Sequence, residues 1–211
     1  MNAHAFRHFF NYHFSENRNV WDKYITQLSD EQFAQNVGYS HGSVRNQIVH
    51  LMSVDETWFS GLRGVEIPDA LDPATFVDRT SIRVQWNAVE QRMRGYLAEL
   101  RDDMLFEKPF AEGEDKDLIV WQVLLQVGTH GTDHRAQLLR LLNDLGVKTV
   151  SQDYIFYAYD HPVTPTTPAS MASTPEMQEE MRKLIDAARS AVADLQAAAE
   201  PTPPPPPRIL D

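Results

Sequence analysis

The 211-residue chain contains no cysteine. Disulfides, thiolate metal ligands and a cysteine nucleophile are therefore excluded together, and any metal must be held by nitrogen and oxygen. No stretch approaches the ~18 uninterrupted apolar residues of a membrane-spanning helix. The opening MNAHAFRHFFNYH lacks the basic segment and apolar run of a secretory leader, so a cytoplasmic address is expected. Basic residues are outnumbered, 19 Lys and Arg against 30 Asp and Glu, giving a formal charge of -11. Without a basic cluster to neutralise phosphates, nucleic acid is a disfavoured partner. No convincing alternation of apolar and polar residues argues for strands.

What is present is the composition of an ordinary folded protein, 42% hydrophobic and 23% charged, long enough to bury a sizeable core. Ten of the thirteen prolines lie beyond residue 160, so a domain boundary is expected near Asp160. The expected order is a packed region over 1–160, a Pro/Thr-rich linker over 161–175, a helix over 176–199 and a proline-rich tail over 200–211.

Four long segments of the packed region carry the apolar spacing of three and four that marks an amphipathic helix. The first spans about Asn2 to Leu28, with Phe6, Phe10, Phe14, Trp21, Tyr24 and Leu28 on one stripe; Ser29 then offers a cap and Gln32 a capping box. The second runs from about Gly42 to Leu62, with Asp55 the polar exception in its stripe. Asp72 followed by Pro73 suggests the start of the third, whose stripe is Ile82, Trp86, Val89, Met93, Leu97 and Leu100. The fourth runs from near Leu118 to Leu145, where Gly146 can close it. The fold class is therefore all-α, a four-helix bundle. The aromatic segment from Tyr154 to Tyr159 reads as an extended piece. The apolar face of the fifth helix needs a partner, either the bundle or a second subunit in a homodimer.

His130 and His134 interrupt the middle of the fourth stripe one turn apart, which places their Cβ atoms about 5–6 Å from each other. Eight histidines in 211 residues give roughly 0.3 such pairs by chance, so the spacing alone is weak. His4 and His8 share it, but His8 points away from the Phe6 stripe and that pair reads as surface. Two buried imidazoles want either a shared metal or hydrogen bonds to neighbouring helices. A shared ion needs a third ligand from another helix, and His50, on the flank of the second stripe, is the candidate. Gln137 and Gln47 face the same interior, as orienters of substrate or bound water or as satisfied core amides. His13 lies on the apolar side of the first helix, where a structural role is favoured. Asp133 and Arg135 flank His134 and are expected to form a local or intersubunit ion pair.

The segment SHGSVRNQIVHLMSVDETWF followed later by VGTHGTDHRAQLLRLLNDLG resembles the DinB family, in the superfamily that includes the bacillithiol and mycothiol transferases. The resemblance covers roughly residues 3 to 160. It implies a four-helix bundle with a three-histidine metal site, and His50, His130 and His134 as the ligands. For the transferases, it implies a low-molecular-weight thiol that binds the metal and attacks an electrophile.

Three imidazoles leave a divalent ion an open position, the arrangement of a catalytic site. Zinc or nickel is expected, with iron and cobalt also suited to nitrogen ligands. Metal-assisted hydrolysis and a metal-stabilised bundle that binds a ligand without turnover are the alternatives to thiol transfer. No carboxylate stands out as a general base, which weighs against hydrolysis.

Overall fold

Asn2 starts the first helix, α1 (Ala3–Asn19), by accepting the Ala5 N–H at 2.9 Å, one of the donors that a helix start leaves without a partner. The Asp102 carboxylate takes the Ala3 N–H at 2.7 Å. In this computed structural model, which describes residues 2–76, 78–164 and 175–198, every regular element among the described residues is helical. Parts of the expected linker and the proline tail lie outside the described residues. The chain divides into two units, Met1–Gln152 and Asp153–Asp211.

The expected single helix over 2–28 is three pieces. After α1 the backbone widens into a π turn, Val20–Tyr24, and then tightens into a 3-10 turn, Ile25–Gln27. Val20, Trp21, Tyr24 and Ile25 are all buried, so apolar spacing runs on through a change in hydrogen-bond pattern that it does not register. The cap at Ser29 forms as expected and opens the short α2 (Asp30–Ala34): Ser29 Oγ accepts the Gln32 N–H at 3.2 Å and Gln32 Oε1 accepts the Ser29 N–H at 2.9 Å.

Ser43 caps α3 (Val44–Leu62), accepting the Asn46 N–H at 3.1 Å. Asp72 and Pro73 do not start the third long helix. They form a separate 3-10 turn, Pro73–Thr75, and α4 (Arg79–Glu99) begins at a second acidic cap, Asp78, which accepts the Ser81 N–H at 2.7 Å. Extended backbone at Phe76 separates the two caps. The far end of α4 is satisfied by Arg7 of α1, which donates to the carbonyls of Leu97 and Leu100 at 3.2 and 2.8 Å.

The last helix of this unit, α5 (Val120–Asp144), ends before Gly146, whose φ of +87° is the left-handed closing conformation. Within α5, Gly131 permits close approach, because a Cβ there would collide with the His13 ring on α1. The main packing pairs are α1 with α4 and α5, and α3 with the same two. That arrangement sets α1 and α3 on one diagonal of a four-helix bundle, with α5 shared between them. One side of α5 thus faces residues of α3 and another faces residues of α1.

In the second unit the segment expected to be extended is a helix, α6 (Tyr154–Asp160). Its aromatic content favours strands only weakly, and with no neighbouring strand among the described residues a local helix satisfies the backbone. The expected fifth long helix is present as α7 (Pro175–Ala198), and Arg189 on it pairs with Asp160 at 2.6 Å.

Candidate metal centre

The helical repeat carries His130 and His134 to the same side of α5, with ring centroids 4.2 Å apart. From α3, His50 meets both: its Nε2 lies 3.4 Å from His130 Nε2, and its ring centroid lies 4.7 Å from that of His134. All three are half-buried. A fourth imidazole, which spacing along helices did not point to, comes from the loop between α2 and α3. His41 is exposed and stacks on His50 at 3.8 Å and 21°. His41, His50 and His134 each offer a ligand nitrogen within 4.8 Å of the others.

The donor set suits a divalent ion of borderline softness. Two nitrogens bound tetrahedrally to one zinc at about 2.0–2.1 Å lie about 3.3–3.4 Å apart, and the His50 to His130 separation of 3.4 Å has that length. The buried Nδ1 of His130 has no hydrogen-bond partner among the described residues.

Amides fix the orientation of His134. Its Nδ1 lies 2.6 Å from Gln47 Nε2 and 2.9 Å from Gln137 Oε1. When Nδ1–H donates to Gln137 Oε1, Nε2 is left with the lone pair that a metal requires, and Gln47 Nε2, which can only donate, then serves the Gln137 oxygen and not Nδ1. Gln47 donates to Gln137 Oε1 at 3.1 Å, and Gln137 donates to Asp133 at 3.0 Å. Ser40, at a left-handed φ of 51°, has its Oγ 2.7 Å from Gln47 Oε1 and 2.6 Å from Gln137 Oε1, and its single hydroxyl proton can donate to either. That bond holds a backbone conformation that costs a non-glycine residue energy.

Burial, then the positive potential of His41, His134 and His130, pushes His50 down to about pKa 4. Burial and then His134 lower His130, against opposing effects of Asp55 and Asp133; burial and then His134 also lower His41. Neutral imidazole is the metal-binding form, so the shifts favour it. They also predict pH dependence. Because the folded His50 binds a proton less readily than an unfolded histidine of pKa ≈ 6.5, acid favours the unfolded chain. The metal-free protein is expected to hold its full stability above that value and to lose part of it as pH falls toward about 4. Urea midpoints over that range should decline less steeply for His50→Gln; parallel declines would contradict the assignment.

The remaining sequence expectations divide. His4 is exposed and His8 half-buried. His13 is wholly buried and structural in its contacts, as favoured. Among the described residues Arg135 forms no local ion pair, the first of the two pairings expected for it. It is 1% exposed, turned between α1 and α5, and donates to His13 Nδ1 at 3.1 Å, Asn17 Oδ1 at 3.0 Å and Thr132 Oγ1 at 3.1 Å. Arg135, about 100° round the helix from His134, faces α1 rather than solvent because α5 is packed on two sides.

A helical bundle with histidines from separate elements converging in its interior defines a protein with a candidate divalent-metal centre. The family model described as DinB family matches residues 1–181, and the chain belongs to that family. All four clustered histidines fall within the match. A search of curated proteins found no match to the chain. Among the described residues, no helix is long and apolar enough to cross a membrane.

Proposed function

We propose that His50, His130 and His134 hold one divalent ion, zinc or nickel by preference and iron or cobalt as alternatives, and that the centre transfers a small thiol to an electrophile. The observation that carries this reading is the meeting of imidazoles from α3 and α5, with His50 Nε2 and His130 Nε2 3.4 Å apart, in a chain of the DinB family. Bound there, such an ion would supply Lewis acidity that stabilises a thiolate, a nucleophile the cysteine-free chain cannot provide itself.

The chain's own residues supply position and environment. Gln137 and Gln47 act as positioning residues: Gln137 Oε1 accepts from the Nδ1–H of His134, which leaves Nε2 to face the ion, and Gln47 holds Gln137 by donating to the same oxygen. Half-burial of the three rings strengthens electrostatic effects at the centre, and burial lowers the pKa of His50 and of His130. The acidic side chain nearest this network, Asp133, is engaged with Gln137, so it acts through that amide.

The test uses protein loaded with each candidate metal and given a small thiol with an epoxide or a chlorinated aromatic. Loss of the electrophile only when both thiol and metal are present is the expected result. Ester or amide cleavage without thiol would replace transfer by hydrolysis. Inactivity in both assays with metal retained would leave a binding module.

A further inference from the structure

The geometry points to His41 as a fourth, loop-borne nitrogen that occupies the position a three-histidine set leaves open and gives way to an incoming ligand. The inference rests on the metal site proposed above and concerns access to it. Three imidazoles from rigid helices leave a divalent ion short of its usual four ligands. The structure places one further imidazole beside them: the His41 ring is 3.8 Å from that of His50 and 5.3 Å from that of His134, and its ligand nitrogen lies within 4.8 Å of one on each.

The four histidines differ in how they are held. His50 sits on α3 and His130 and His134 on α5, all half-buried, whereas His41 is exposed on a loop between Gly38 and Gly42, both at positive φ. The loop is braced within itself, Val37 N–H donating to the Gly42 carbonyl at 2.7 Å and Gly42 N–H to the Tyr39 carbonyl at 2.9 Å, and it is tied to the helices mainly through the side chains of Asn46, Gln47 and Gln137. The His41 carbonyl accepts from Asn46 at 3.1 Å, and Ser40 Oγ reaches Gln47 and Gln137. Gln137 also holds His134, and Gln47 holds Gln137, so the loop and a helix-borne ligand share one hydrogen-bonded network. A ligand on a loop tethered this way can leave without unfolding a helix, while the other three stay in place.

The experiment uses the full chain loaded with cobalt(II), whose visible spectrum reports ligand number and geometry, and azide as the exogenous ligand. His41→Ala is expected to retain cobalt, to change the spectrum, and to regain the original bands when imidazole is added. Azide should bind the variant about tenfold more tightly, the factor expected if His41 fills the position about nine-tenths of the time. Equal azide affinity in the two proteins would overturn the inference. So would loss of cobalt from His41→Ala alongside its retention in His130→Ala, since His41 would then be one of the three core ligands. If cobalt binding is unchanged in His50→Ala, His130→Ala and His134→Ala alike, the metal site itself fails, and that outcome is separate from failure of the His41 assignment. His41 is exposed, so its replacement leaves the bundle core untouched.

Discussion

Replacing His130 with alanine is expected to lower metal affinity by more than about 100-fold, beyond the 10–100-fold that losing an outer hydrogen-bond partner of a ligand costs. The His130 ring has its Nε2 directed at His50 Nε2 and its centroid 4.2 Å from that of His134. Removing it takes away a nitrogen that no neighbouring helix replaces. His50→Ala and His134→Ala should behave alike, because two imidazoles hold an ion far less firmly than three. Gln137→Ala should fall in the smaller range, since it loosens the orientation of His134 without removing a ligand. His4→Ala is the control: His4 has the same spacing to His8 that His130 has to His134, yet it is exposed on α1. Elemental analysis of each protein purified without added metal, followed by competition with a chelator, measures the series. Equal metal content in His130→Ala and His4→Ala would end the assignment.

That comparison shows how much of the centre could be read from the chain. Spacing along one helix is enough to place His130 and His134 on a common face, since 3.6 residues per turn fixes their direction. The same argument distinguishes them from His4 and His8 by asking what else shares the stripe. It says little about distances between helices; His50 was a candidate because a third ligand was needed, and the family resemblance implied it. His41 was out of reach. Its position depends on a loop with positive φ at Gly38, Ser40 and Gly42, and no periodicity relates a loop residue to a helix face.

The fold divides in a similar way. Apolar stripes located all four long helices of the bundle, because burial of those stripes is what drives their packing. They did not reveal where hydrogen bonding changes from α to π after Asn19, or which of two acidic caps, Asp72 or Asp78, starts α4. Both outcomes turn on local backbone geometry that apolar pattern leaves undetermined. Arg135 was misplaced for a related reason: a charged residue beside a ligand reads as surface until it is known that α1 covers that side of α5.

The burial of Arg135 leads to the largest expected effect on stability. Arginine nitrogens only donate, so the contact from Nη1 makes His13 Nδ1 an acceptor and leaves the proton on Nε2, which faces Asp55 Oδ2 at 3.4 Å. Arg135, His13 and Asp55 thus form a line through the interior, with side chains of Arg135 and Asp55 each 1% exposed. Burial lowers the Arg135 pKa, and Tyr12, followed by Asp55 and Glu16, opposes that shift. Arg135→Met keeps much of the volume but leaves Thr132 Oγ1 and the interior acceptors His13 Nδ1 and Asn17 Oδ1 without their donor and removes the cation that faces Asp55 across His13, a loss of a buried network expected to cost about 3–5 kcal/mol. For a domain stable by about 5–15 kcal/mol this is a large fraction, and urea unfolding at neutral pH should resolve it. Adding Asp55→Asn removes the matching anion, so the double variant is expected to be more stable than the sum of the two single losses implies. A double-mutant cycle closing to within about 0.5 kcal/mol would show the two charges to be independent and the line through His13 to carry no coupling.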